Sequence, residues 1–294
     1  MQRRSNAAVF MNWGTSVGTI SFRRKALDRT MKALFFLAAI LVILPLFLIF
    51  FDLLAKGAKE LKLTLLIDLP HPVGEPGGGI ANGIVGTLVI TLMTMLWSVP
   101  TAVMCGIYLA EYGKGKFASA VRFAADTMTG VPSIIMGIFG YILLVLPMKR
   151  FSAWAGAAAL SMIFIPVVVR TTEEMLRTVP TTVREAALAL GIARWKATLR
   201  ITVRTAWPGI LTGILLAMAR IIGETAPLLF TALGNQFWQT RLDQPIAAVP
   251  LQVFTYAISP YEDWHDKAWA GALVLITMVL VINIAARVFT RQKR

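Results

Sequence analysis

Residues 179–210 read VPTTVREAALALGIARWKATLRITVRTAWPGI. The stretch lies between two apolar runs, Trp154–Leu176 and Ala206–Leu233. Pro180 precedes Thr182-Val183-Arg184-Glu185, whose Thr-x-x-Glu spacing is that of a capping box and predicts a helix capped by Thr182. Ala186 to Leu190 continue that helix, and Gly191 supplies the turn that a left-handed or tightly packed backbone needs. A second amphipathic run, Ile192 to Val203, alternates basic residues with Trp195, Leu199 and Ile201, and Pro208 opens the next apolar run. Two short helices on one face of a membrane are expected. Their alanines admit a close neighbour, and their apolar side chains suit a groove on a partner. A basic helix lying on lipid is the bland alternative.

The rest of the chain supplies the membrane. Its 294 residues are 57% hydrophobic and only 15% charged, with a mean hydropathy of +0.69. Soluble domains carry about a quarter charged residues. The solvent for most of this chain is therefore lipid. A spanning helix needs about 20 apolar residues. Six segments qualify: Ala33–Phe51, Gly83–Ala110, Ala120–Leu146, Trp154–Leu176, Ala206–Leu233 and Ala268–Ala286. The fold class is all-α, a polytopic transmembrane bundle of six spans. The first run is long for a signal peptide, and no small-x-small site follows it, so it is expected to be retained.

The net charge of +14 suggests nucleic acid only until the positions are inspected. Lys and Arg lie between apolar runs. Twenty of the 29 fall at residues 1–32, 114–122, 177–204 and 287–294, and seven fall in the opposite loops. Both termini are thus expected in the cytoplasm of a bacterial inner-membrane protein. Nucleic acid is not an expected partner; membrane lipid is. Cys105 is the only cysteine, and His71 and His265 the only histidines, so no metal-ligand spacing occurs.

The expected organisation is a basic tail (1–30), a first span (31–54), a Pro/Gly-rich outer joint (55–80), a five-helix block (81–288) enclosing the segment 180–208, and a basic tail (289–294). Pro100, Pro132, Pro166 and Pro227 interrupt four spans of that block. Arg170 and Arg220 are the two cations within spans. Glu224 follows Arg220 by one helical turn. A mid-bilayer Arg costs about 2.5–3.5 kcal/mol, so such residues are functional candidates. A structural ion pair is one explanation for Arg220 and Glu224. A cationic anion pathway is the other, because the planar guanidinium suits phosphate. Arg170 could equally snorkel to the interface.

Glu185-Ala186-Ala187 with Gly191 resembles the EAA loop of ABC importer permeases. The resemblance implies a type I ABC importer permease fold and docking of a separate ATPase on Glu185, Ala186, Ala187, Gly191 and Trp195. Val203-Arg204 stands where that family often has Leu-Pro, which puts a kink there in doubt. The chain has no G-x-x-x-x-G-K-[ST], so ATP and magnesium are expected on the partner ATPase, with no cofactor and no enzymatic chemistry on this chain. The runs GIYLAEYG (106–113), GVPSIIMGIFGY (130–141), RTTEEML (170–176) and ARIIGETAPLLFTALGNQFW (219–238) resemble phosphate ABC importer permeases, PstA more than PstC. That implies uptake of inorganic phosphate, for which Arg220, Glu224 and Arg170 are the candidate pathway residues from their place in the spans. It also implies a PstC-like second permease subunit, two copies of an ABC ATPase subunit and a periplasmic phosphate-binding protein. A permease for sulfate or molybdate, and a secondary transporter or channel, remain the rival classes.

Overall fold

The computed structural model describes residues 22–72, 74–75 and 77–291. The basic tails lie largely outside the described residues, at 1–21 and 292–294. The chain forms two compact units, Met1–Asp52 and Leu53–Arg294. In the first, helix α1 (Phe22–Gly57) begins before the expected tail ends and presents exposed side chains from residue 23 to 52.

The second unit begins with a short helix, α2 (Leu63–Ile67), in the expected outer joint. Leu65 is buried with Ile80, Val249, Tyr256 and Ala268, and its carbonyl accepts from Ile80 N at 2.8 Å. This part of the joint is therefore folded onto the bundle. Next come α3 (Ala81–Tyr112), α4 (Gly115–Gly130), α5 (Ser133–Met148) and α6 (Ala153–Arg177). They are followed by α7 (Thr181–Ala189), α8 (Arg194–Ile222), α9 (Ala226–Thr231), α10 (Val249–Ala257) and α11 (Glu262–Arg291). Among the described residues, five helices are long and apolar enough to cross a membrane, or six if α4 and α5 are one bent span.

Helix α6 is the axis of the unit. Lipid offers no hydrophobic drive between helices, so association rests on close packing and small residues. Ala153, Ala155, Ala157 and Ala159 of α6 are fully buried. They let α3 come close enough for Thr94 Oγ1 to donate to Ala157 O at 3.2 Å, beside a 2.7 Å bond from Trp97 Nε1 to Ser161 Oγ. Gly106 of α3 abuts Thr172, and Gly209 and Gly213 of α8 abut Met175 and Thr171.

Two expected spans are broken. The third turns by 107° between α4 and α5. Val131, before Pro132, is extended at ψ 132°, as the proline ring demands, and Pro132 itself caps α5. The fifth stops at Ile222 and restarts at Ala226, with Pro227 in the first turn of α9. Pro100 and Pro166, by contrast, lie inside continuous helices. After α9 the chain does not simply leave as an outer loop. Ile246 to Val249 are buried, and Val249 N is satisfied by Thr87 Oγ1 at 2.9 Å. Asn82 Nδ2 donates to Asn235 O at 2.7 Å and pins the same loop to the start of α3.

The two restarted helices cross at Gly137 and Pro227, where a Cβ on Gly137 would lie 2.7 Å from Pro227 Cα. Gly137→Val should separate them at a cost of about 1–3 kcal/mol, the usual penalty of overpacking. Gly130→Ala meets open space and should be neutral. Thermal unfolding of both variants in detergent checks the pair; equal stability would contradict this packing.

Candidate functional site

Helix α7 starts at Thr181, not after Thr182. Pro180 is its N-cap, at φ −56° and ψ 143°, and no side chain caps it. The expected capping box therefore does not form. Thr182 is already helical there, in the first turn, and Val183 N is satisfied by Pro180 O at 3.2 Å. The other end matches expectation. Gly191 has φ +74°, Gly191 N donates to Leu188 O at 2.9 Å and Ile192 N to Ala187 O at 3.2 Å. Those two bonds make a Schellman turn.

The second expected helix is not separate. Residues from Arg194 run unbroken into α8, widened by a π-turn at Thr198–Thr202. Pro208 lies inside α8 instead of opening it. No residue between Arg194 and Pro208 favours a turn, and one missing N–H does not end the helix. The chain runs straight through Val203-Arg204.

Glu185, Ala186, Gly191 and Trp195 are exposed, whereas Ala187 is buried against the bundle. Leu188, Leu190, Trp195 and Leu199 are exposed beside them, Leu190 to 80%. Arg184 holds the segment from below. Its guanidinium pairs with Glu111 at 2.8 Å and donates to Leu176 O at 2.7 Å and Val179 O at 3.2 Å. Arg194 donates to Glu111 O and lies 5.0 Å from the centre of the Tyr112 ring.

Above that anchor lies a cluster that sequence reasoning missed. Glu173 is fully buried on α6, yet accepts from three arginines: Arg122 Nε at 2.6 Å, Arg170 Nη1 at 2.7 Å and Arg177 Nη2 at 2.6 Å. Arg122, counted with a connection in the sequence, sits inside α4. It also donates to Leu109 O at 2.7 Å and Gly113 O at 3.3 Å, at the end of α3. Arg170 closes a 2.7 Å pair with Asp126 of α4. The signal was present as Arg170-x-x-Glu173-x-x-x-Arg177, an i,i+3 and i,i+4 spacing on one helix face.

Arg170 is thus held in this cluster, apart from Arg220. Antiparallel packing of Gly213 on Thr171 and Gly209 on Met175 sets Arg220 level with Phe164, near the middle of α6. Its side chain is 47% exposed, and its Nε lies 3.4 Å from Glu224 Oε1. The helix ends between the two partners, at Ile222. Arg220 therefore stands level with the middle of α6, beside the break in α8.

Residues 102–294 match the family described as the binding-protein-dependent transport system inner membrane component. The phosphate transport system permease protein PstA of Yersinia pestis is 47% identical over 247 residues, 84% of each chain. PstA 1 of Mycobacterium tuberculosis strain H37Rv is 35% identical over 289 residues, 94% of this chain and 92% of that one. Among solved structures, an inward-facing MetNI methionine ABC transporter chain aligns with a TM-score of 0.58 at 17% identity, covering 73% of this chain and 94% of its own. A bacterial ABC transporter that imports alginate aligns at 0.56 and 15% identity, covering 91% and 99%. The last two establish the fold alone.

The left-handed turn gives a test of the docking segment. Gly191→Val forces a branched side chain to φ +74° and should cost about 1–2 kcal/mol locally. Amide exchange across 181–192 should quicken while α6 stays protected; unchanged exchange would contradict the Schellman closure. With its fold, sequence and span pattern taken together, the chain belongs to the PstA phosphate transport permeases, multi-pass inner-membrane components of binding-protein-dependent transport systems.

Proposed function

We propose that this chain is the permease subunit of an ATP-driven importer that moves inorganic phosphate past Arg220 into the cytoplasm, with both termini on the cytoplasmic side. The observation that carries the proposal is a half-exposed arginine level with the middle of α6, beside the break in α8. Arginine facing hydrocarbon costs about 2.5–3.5 kcal/mol, so that face is closed by protein or lines water. Interrupted helices at the midplane are where membrane transporters build substrate sites, because freed backbone groups are tolerated only beside a cavity. A planar guanidinium offers two parallel donors to a phosphate. Glu224 tempers its charge, so that the anion is held and then released.

The closing surface is a second, PstC-like permease subunit with its own matching face. One of two ATPase copies takes the exposed Leu188, Leu190 and Trp195 surface and the other docks on the second permease subunit, both using ATP and magnesium that this chain does not bind. A periplasmic phosphate-binding protein delivers the anion to the outer loops. ATP binding closes the ATPase pair and draws the two docking segments together. The spans rock, and access to Arg220 alternates between the two sides. Arg170, committed to Asp126 and Glu173, belongs to the wall that carries this motion.

Radiolabelled phosphate uptake tests the proposal. Uptake should be inhibited by arsenate and not by sulfate or molybdate. Arg220→Gln should lower it about tenfold or more, the scale of one charge-assisted hydrogen bond, while the ATPase still co-purifies. Uptake that persists in Arg220→Gln would overturn the pathway, and loss of assembly would mark a structural pair instead.

A further inference from the structure

We infer that Glu173 is a positioning residue, the buried joint through which the ATPase-docking segment moves helix α4 together with the pathway helix α8. The inference rests on the proposed transport function and adds a transmission element to it. Helix α8 needs no such joint, because the docking segment runs into it along the backbone from Arg194. Helix α4 is different. It leads to the break at Val131-Pro132 but is not continuous with the docking segment.

A continuous ionic path connects the two. Arg184 and Arg194, on the docking side, hold the side chain and the carbonyl of Glu111. Glu111 lies in the last turn of α3, between Leu109 and Gly113, whose carbonyls accept from Arg122 of α4. Arg122 Nε then reaches Glu173 of α6 at 2.6 Å. Glu173 passes the restraint back to α4 through Arg170 and Asp126. Helix α4 is therefore tied to α6 at two points one helical turn apart, residues 122 and 126. One tie would leave a pivot; two fix both the position and the rotation of the helix.

The arms are not equivalent. Arg122 reaches Glu173 from α4, and Arg170, on the same helix as Glu173, carries the contact on to Asp126 of α4. Arg177 bonds Glu173 from the same helix and is 57% exposed. A purely local charge balance would need all three alike. A transmission joint needs the arms that lead to α4, Arg122 directly and Arg170 through Asp126.

The test uses the intact complex with its ATPase and binding protein in proteoliposomes. Phosphate uptake and ATP hydrolysis are measured on the same vesicles. For Glu173→Gln, which keeps side-chain volume, hydrolysis should stay within about twofold, while phosphate imported per ATP falls about tenfold, the scale of one charge-assisted hydrogen bond. Arg122→Lys should act in the same direction, since one ammonium cannot reach Glu173, Leu109 O and Gly113 O together. It decides the question if Glu173→Gln fails to accumulate. Arg177→Gln should keep the wild-type ratio. An unchanged ratio in Arg122→Lys and Glu173→Gln would overturn the inference, as would an equal fall in Arg177→Gln. The two failures are distinguishable: a wild-type complex that imports no phosphate sinks the transport assignment, whereas one that imports it beside variants of unchanged ratio sinks the joint.

Discussion

A carboxylate with no solvent exposure, deep in a helical bundle, is costly unless it is fully paired. Glu173 is paired three times, twice within α6 and once to Arg122 of α4, and Arg122 in turn holds the end of α3. The same carboxylate neutralises part of a guanidinium cluster that would otherwise repel itself. Polar contacts of this kind matter in a bundle where lipid competes for every apolar face. The remaining cohesion comes from close approach along α6, whose alanines admit α3 at one end and whose Thr171, Thr172 and Met175 meet glycines of α8 and α3 at the other.

The broken spans follow from the same solvent. An extended backbone at mid-depth has no water to satisfy it, so it survives only inside protein or beside a cavity. Here the restarted helices α5 and α9 support each other where Gly137 meets Pro227. Arg220 and Glu224 stand at the second break, where a helix end leaves backbone carbonyls without intrahelical partners. Below them, the docking segment has an outward apolar surface and an inward ionic anchor. Motion delivered at that surface thus has a covalent route into α8 and an ionic route into α4.

Much of this was legible in the sequence. Length and apolarity found each long helix, and the Glu185 to Gly191 spacing found the short helix α7 and its closing turn, because these depend on local pattern. The left-handed Gly191 is a local requirement and was read correctly. The capping box was not, because Pro180 claims the N-cap two residues before Thr182. The interruption expected at Pro132 is present, as a 107° elbow at Val131-Pro132 whose size hydropathy averages over. Pro100 and Pro166 carry the same residue and leave their helices unbroken, so proline alone did not decide. Arg170 was read as a pathway residue because its partners were invisible: Asp126 lies 44 positions earlier in the chain, and only the fold brings it within 2.7 Å. Glu173 and Glu111 were passed over for the same reason.

The most direct measurement is the distance between spin labels at Leu190 of the docking segment and Phe123 of α4, both exposed, in the assembled transporter with and without ATP. If the docking segment and α4 move as one body, the distance stays narrow and shifts by no more than about 2 Å, the scale of a packed helix adjustment. A shift beyond about 5 Å, the scale of one element slipping a full turn past another, would contradict the account.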